Sequence, residues 1–169
     1  MDEPPHNHLQ HLWAPWRMEY ILSEKNDSCV FCTALNSGND RDMYIIYRGK
    51  LGFVILNLYP YNNGHMMVLP YRHIGELGAL TPAERAELME LTERSIAALK
   101  ESMHPEGFNV GINLGRAAGA GIETHVHIHV VPRWAGDTNF TTVIGETRTL
   151  PELLSETYER LHKVMARES

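Results

Sequence analysis

Three histidines alternate with three β-branched apolar residues in the stretch Thr124-His125-Val126-His127-Ile128-His129-Val130-Val131-Pro132-Arg133-Trp134. A two-residue period is that of a strand. The pattern therefore predicts His125, His127 and His129 on one face, with Val126, Ile128 and Val130 entering a core on the other. Burying an imidazole costs free energy unless the ring finds a partner, so three in register point to chemistry rather than packing. Positions two apart on a strand are separated by about 6.6–6.8 Å, which sets the outer pair roughly 13 Å apart. Zinc–nitrogen bonds are only about 2 Å long, so the three rings cannot converge on one ion; a pair such as His127 and His129 could, given ligands from elsewhere. The other use of imidazole is as a nucleophile, uncharged near neutrality and able to form and release a covalent intermediate. A phosphorus centre suits that use, because flanking donors stabilise its equatorial oxygens during in-line transfer.

The run HVHIHVV, continued through Pro132-Arg133-Trp134, resembles the His-x-His-x-His-x-x signature (x hydrophobic) of the histidine-triad nucleotide hydrolases and transferases. The resemblance implies that the middle histidine, His127, attacks the α-phosphorus and becomes nucleotidylated. It implies that His129 helps hold the phosphate, and it counts Trp134 among the substrate-binding residues. The leading expectation is a nucleotidylyl transferase or phosphorylase acting on dinucleoside polyphosphates, with hydrolysis of the same substrates or of nucleoside phosphoramidates as alternatives. A non-catalytic nucleotide-binding zinc scaffold is the reading of a different class, and an intact His127 with both neighbours argues against it.

Further residues gain expected roles from the same resemblance. The block FVILNLYPYNNGHMMVLP is similar to the nucleoside-binding half of the family. There the residue ending the second strand bonds the ribose hydroxyls, which falls on Asn57, and the histidine after the glycine supports the triad, which falls on His65. Read without the family, Asn57 is equally a turn residue. Asn113 stands where relatives place an amide that contacts the transferred phosphate. The connection Gly115-Arg116-Ala117-Ala118-Gly119-Ala120-Gly121-Ile122 is built of small residues, which let backbone N–H groups approach an anion. Gly119, Ala120 and Gly121 are thus expected to cradle phosphate. The loop lacks the Gln-Ser/Thr run common in relatives and looks like that of the bacterial diadenosine tetraphosphate phosphorylase branch. Its open space, with Arg116 and Arg133 nearby, favours inorganic phosphate over water as the acceptor.

The only two cysteines form Cys29-Val30-Phe31-Cys32. In a reducing compartment this spacing signals metal or redox chemistry sooner than a structural disulfide. Two thiolates cannot close a tetrahedral zinc site, so two further ligands are needed. His73 and His125 are the candidates, a pattern that resembles some bacterial histidine-triad proteins, and the ion would be structural. Two buried free thiols are the alternative.

The rest of the chain must position these groups. It has 169 residues, 43% hydrophobic and 21% charged, with a formal net charge of −6, which suits one domain and argues against non-specific nucleic-acid binding. No apolar run approaches a membrane span and no signal segment stands at the N-terminus, so the expected setting is the cytoplasm. Residues 1–26 read as a polar tail and a docked short helix opened by Pro15; residues 27–169 read as one domain with a C-terminal helical extension. Strands are expected over Asp42–Arg48, Leu51–Asn57, His65–Pro70, Gly107–Leu114 and the triad, with a further extended piece over Asn139–Val143. Thr81-Pro82-Ala83-Glu84 combines an N-cap, a first-turn proline and a capping-box glutamate, predicting a helix to about Met103 with Leu88, Leu91, Ile96 and Leu99 on its apolar side. A last helix is expected over Glu152–Arg167, with Leu153, Leu154, Leu161 and Val164 inward. The expected architecture is α+β: about five antiparallel strands, one long helix, a C-terminal helix and a zinc-bound N-terminal turn. The family resemblance adds a homodimer.

Overall fold

The computed structural model describes residues 28–137 and 152–167. The expected helix after Pro15, the extended piece at Asn139–Val143 and Pro151 lie outside them. Five strands, β1 (Ile45–Arg48), β2 (Gly52–Leu56), β3 (Met66–Pro70), β4 (Gly107–Ile112) and β5 (Ile128–Arg133), form one sheet in the order β1-β2-β3-β5-β4. Every neighbouring pair is antiparallel. The helices are α1 (Val30–Asn36), α2 (Pro82–Met103) and α3 (Leu154–Arg167).

The sheet separates two apolar clusters. On one side Val54, Leu56, Met66, Val68, Val126, Ile128 and Val130 pack with Leu88, Leu91, Ala98 and Leu99 of α2 and with Leu161, Val164 and Met165 of α3. Each such leucine, fully withdrawn from water, stabilises the fold by about 1.5–3 kcal/mol. On the other side Ile45, Phe53, Ile55, Met67 and Leu69 pack with Phe31 and Ala34 of α1. Strand periodicity alone sorts these residues: Ile55, Met67, His129 and Gly111 lie abreast in register, and so share the second face.

The Thr81 hydroxyl accepts from the Glu84 N–H while the Glu84 carboxylate accepts from the Thr81 N–H, closing the predicted capping box with Pro82 in the first turn. Arg72 completes it, donating to both Glu84 carboxylate oxygens at 2.6 and 2.7 Å. Helix α2 ends at His104, which sits in the left-handed region (φ 50°). Its inward face departs from expectation. Ile96 is only partly buried, whereas Thr92 and Ser95 are buried and return their hydroxyls to the Leu88 and Leu91 carbonyls at 2.7 Å each. Buried hydroxyls are tolerated because each finds a backbone acceptor one turn back. In α3, Leu153 precedes the first turn and is 67% exposed rather than inward; Thr157 and Tyr158 take the buried positions.

Helix α1 was not expected. It has no side-chain N-cap, and seven residues are too few for an isolated helix to hold itself in water. Burial of Phe31 and Ala34 against the sheet supplies what its own sequence does not.

Candidate active site

The triad begins before the strand does. Ladder pairing of β5 starts at Ile128, so His129 lies within the sheet while His125 and His127 precede it. The predicted segregation of faces still holds. Val126, Ile128 and Val130 enter the helix-side cluster, and His125, His127 and His129 are 0%, 6% and 9% exposed. The rings of His127 and His129 stand 4.8 Å apart and nearly perpendicular.

Backbone acceptors fix the proton on two of the three rings. His127 Nδ1 is 2.8 Å from the His125 carbonyl oxygen. A carbonyl can only accept, so Nδ1 carries the hydrogen and Nε2 keeps the lone pair. Burial pushes the His127 pKa down, partly opposed by that carbonyl bond, so the ring is a neutral base at neutral pH. Its lone pair sits on a defined atom, the form of imidazole that can attack an electrophile. In His125 the arrangement is reversed: Nε2 donates to the Pro70 carbonyl at 2.9 Å, and the lone pair lies on Nδ1.

His129 is set through His65. The Tyr61 N–H donates to His65 Nδ1 at 3.0 Å. Burial, and then the nearby His129 and His127, hold the His65 pKa well below its ordinary value. A neutral His65 accepting at Nδ1 carries its hydrogen on Nε2, which donates to His129 Nδ1 at 3.0 Å. A neutral His129 then presents an N–H at Nε2. The Asn113 amide lies 3.5 Å from that nitrogen. One imidazole thus offers a lone pair while its neighbour offers a donor, the pairing an in-line attack at phosphorus requires.

Tyr61 is a site residue that the sequence reading passed over as part of a break. Its ring lies 4.7 Å from that of His65 and stacks on His129 at 5.7 Å. The loop carrying it is pinned at Asn62, buried, whose amide donates to the Pro132 carbonyl at 3.0 Å and to Asp137 at 2.8 Å. Asn57, at the end of β2, accepts the Tyr59 N–H at 2.9 Å and lies 3.4 Å from His65 Nδ1. Its amide holds the turn that delivers Tyr61 and His65.

Three groups of expected residues meet other partners in the described structure. Trp134 directly follows β5, and its indole N–H donates to the Met103 carbonyl at the end of α2 at 3.3 Å. The Gly119 and Ala120 N–H groups donate within their own loop, to the Arg116 and Gly115 carbonyls at 2.9 and 3.3 Å. A short 3-10 turn at Arg116–Ala118 folds this part of the loop onto itself. Each of the two arginines has an ion-pair partner at the surface: Arg116 meets Glu123 at 2.9 Å, and Arg133 meets Asp137 at 2.6 Å and Asn109 at 2.7 Å.

Cys29, Cys32, His73 and His125 converge from α1, the segment after β3 and the segment before β5, with their ligand atoms all within 4.8 Å of one another. Sγ of Cys29 is 3.5 Å from His125 Nδ1, and Sγ of Cys32 is 3.4 Å from His73 Nδ1 and 3.8 Å from His125 Nδ1. Zn–S bonds of about 2.3 Å and Zn–N bonds of about 2.0–2.1 Å at tetrahedral angles require S···N separations of about 3.6 Å. The donor set therefore fits a closed tetrahedral ion, and the His125 lone pair already faces it. Phe31, between the two cysteines in sequence, packs its ring at 5.5 Å from His125 and 5.3 Å from His127. It was missed because an aromatic inside a two-cysteine motif looks like ordinary filler.

Fold and site together define an α+β histidine-triad protein with an adjoining two-cysteine, two-histidine cluster. The HIT domain family matches residues 39–136, and the chain belongs to that family. It is 45% identical over 168 residues to an "AP-4-A phosphorylase" of Mycobacterium tuberculosis, covering 95% of this chain and 86% of that one. It is 33% identical over 93 residues to a "Bis(5'-nucleosyl)-tetraphosphatase [asymmetrical]" of Schizosaccharomyces pombe, covering 55% of this chain and 50% of that one. A solved "ZN-bound histidine triad family protein" from Mycobacterium smegmatis superposes with a TM-score of 0.68 at 31% identity, covering 83% of this chain and 95% of that one. No helix among the described residues is long and apolar enough to cross a membrane.

Proposed function

We propose that this chain is a nucleotidylyltransferase that cleaves dinucleoside polyphosphates by phosphorolysis through a nucleotidyl-histidine. The observation that carries the proposal is the opposed proton placement on His127 and His129, one ring bearing a lone pair and the other a donor, side by side. His127 Nε2 attacks the α-phosphorus, and the bond from that phosphorus to its bridging oxygen breaks. The rest of the molecule departs as a nucleoside polyphosphate. His129 Nε2–H and Asn113 bond the phosphate oxygens as charge develops. His65 holds His129 in the donor tautomer, and Asn57 takes the ribose. Phosphate then attacks the nucleotidyl-histidine, forming a nucleoside diphosphate and regenerating the imidazole.

Phosphorolysis rather than hydrolysis is supported by the 45% identical relative. Hydrolysis is the second reading, supported by the tetraphosphatase relative. Diadenosine tetraphosphate separates the two. In phosphate buffer a phosphorylase yields ATP plus ADP and stalls when phosphate is withdrawn; AMP plus ATP, at a rate indifferent to phosphate, would establish a hydrolase.

The ion held by Cys29, Cys32, His73 and His125 is read as zinc. Its chemistry when bound is to tie three segments together, since four protein ligands leave no open position for a substrate. Elemental analysis of the purified protein tests it. The chain is further read as a cytoplasmic homodimer whose domain spans residues 27–169, with residues 1–26 as an appendage. Among the described residues β4 is an edge strand, exposed at Val110, and an edge is suited to pairing with a second copy. Light scattering at a range of concentrations tests the assembly.

A further inference from the structure

The nucleophile lies outside the sheet's hydrogen-bond ladder, so something other than the sheet must hold it. His127 directly precedes Ile128, where pairing to both β3 and β4 begins. Four contacts restrain the segment that carries it. The Val126 N–H donates to the Ile74 carbonyl at 2.7 Å. Gly75 runs so close alongside that a Cβ there would collide with the Glu123 carbonyl oxygen. The His125 ring is clamped between the Pro70 carbonyl on one nitrogen and the two thiols on the other. The Phe31 ring, 4% exposed, packs against both His125 and His127.

All four contacts involve segments that the two-cysteine, two-histidine cluster draws together. His73 supplies one ligand, and Ile74 and Gly75 follow it directly. His125 supplies another, and its own carbonyl accepts the His127 Nδ1 hydrogen at 2.8 Å. Cys29 and Cys32 bracket Phe31 on α1, a helix of seven residues without a side-chain cap. Cys29, Cys32, His73 and His125 would hold an ion there, and the His125 ring so held would restrain the His125 backbone, whose carbonyl accepts the His127 Nδ1 hydrogen. The two cysteines so held would also keep Phe31 against the flank of the His127 ring.

We propose that the metal cluster is the mount of the nucleophile: His125, through its carbonyl, and Phe31, through its ring, are positioning residues that set the tautomer and placement of His127. This rests on the function proposed above only in naming the reaction that would suffer. It goes beyond a staple for stability, because it assigns the ion an effect on the chemical step. Displacing a reacting atom by about 1 Å can cost about 100-fold in rate. Loss of the ion should therefore slow nucleotidyl transfer far more than it weakens nucleotide binding.

Heteronuclear imidazole spectra of the metal-loaded protein, free of substrate, read the tautomer directly. His127 should show a protonated Nδ1 and a bare Nε2, and removing the ion with a chelator should average the two nitrogens while the sheet amides keep their shifts. An unchanged His127 signature in folded, metal-free protein would overturn the proposal. If the stripped protein unfolds instead, Phe31→Leu in the loaded protein decides. First-turnover transfer from diadenosine tetraphosphate at least about fivefold slower, with KM unchanged, supports the mount, and an unaltered rate overturns it. The spectra need no turnover. A wild-type protein that forms no nucleotidyl adduct would defeat the function proposed above, while its tautomer would still decide the coupling.

Discussion

His65 Nε2 lies 3.0 Å from His129 Nδ1, and the direction of that bond decides what His129 can offer a phosphate. Because the Tyr61 N–H already occupies His65 Nδ1, His65 must donate to His129. His129 is left with its hydrogen on Nε2, the nitrogen beside Asn113. Replacing His65 by alanine frees His129 to take either tautomer. The expected outcome is a fall in kcat of roughly tenfold or more with KM nearly constant, less than the 100- to 1,000-fold cost of deleting a direct oxyanion donor. Steady-state kinetics of His65→Ala beside His129→Ala check the ordering, and equal losses would contradict it.

His127→Ala removes the attacking atom but none of the ribose contacts. Turnover should vanish, with nucleotide affinity kept within about tenfold. Calorimetric titration with AMP and mass spectrometry for the adduct measure the two halves separately. A variant retaining more than about a tenth of wild-type activity would show that another group attacks phosphorus.

Buried His65 also makes stability depend on pH in a defined direction. Its folded pKa is well below the unfolded value of about 6.5. Below that pH the unfolded chain therefore takes up a proton that the native ring resists. Stability from this residue is fully present above about 6.5 and is lost as pH falls beneath it. Urea midpoints of wild type and His65→Asn between about pH 8 and pH 5 should converge as acid is added. Parallel curves would mean that His65 is not held neutral.

Glu84 gives a second acid-side effect at lower pH. The Arg72 guanidinium, and then the Thr81 backbone N–H, hold its carboxyl at about 2 against an ordinary 4.5. Because the folded pKa is the lower one, the contribution is present above about 4.5 and lost as pH drops toward 2. Glu84→Gln should remove that part of the acid sensitivity. Thr81→Ala should cost about 1 kcal/mol at neutral pH through the lost cap. Denaturation curves of the two variants distinguish the charge from the cap.

The sequence revealed most where a local rule acts alone. Thr81-Pro82-Ala83-Glu84 predicts the start of α2 because capping is satisfied within four residues, and alternation predicts which face of β5 carries imidazole. It misled where the deciding partner is distant in the chain. Helix α1 exists because Phe31 and Ala34 meet the sheet, a contact no window around residue 30 contains. Thr92 and Ser95 turn inward because their hydroxyls find carbonyls one turn back, a compensation that residue polarity does not reveal. Arg133 was expected beside phosphate, and its bonds to Asp137 and Asn109 come from residues outside the triad motif. The bonds that Gly119 and Ala120 make within their own loop were not foreseen, because small residues permit a loop to close on itself as readily as to open toward an anion.

The sheet is one residue thick, and at β5 its two faces answer to different selective demands. A change at Val130 is felt in the helix-side core and registers as melting temperature; a change at His129 is felt among the imidazoles and, in the proposed reaction, registers as rate. Neighbouring positions of one strand can therefore drift under separate pressures. Variation that retunes the acceptor or leaving group can collect on the imidazole side without loosening the helices behind it. The junction before Ile128 is the exception: there a single substitution registers on both scales, so that is where this lineage has least freedom to experiment.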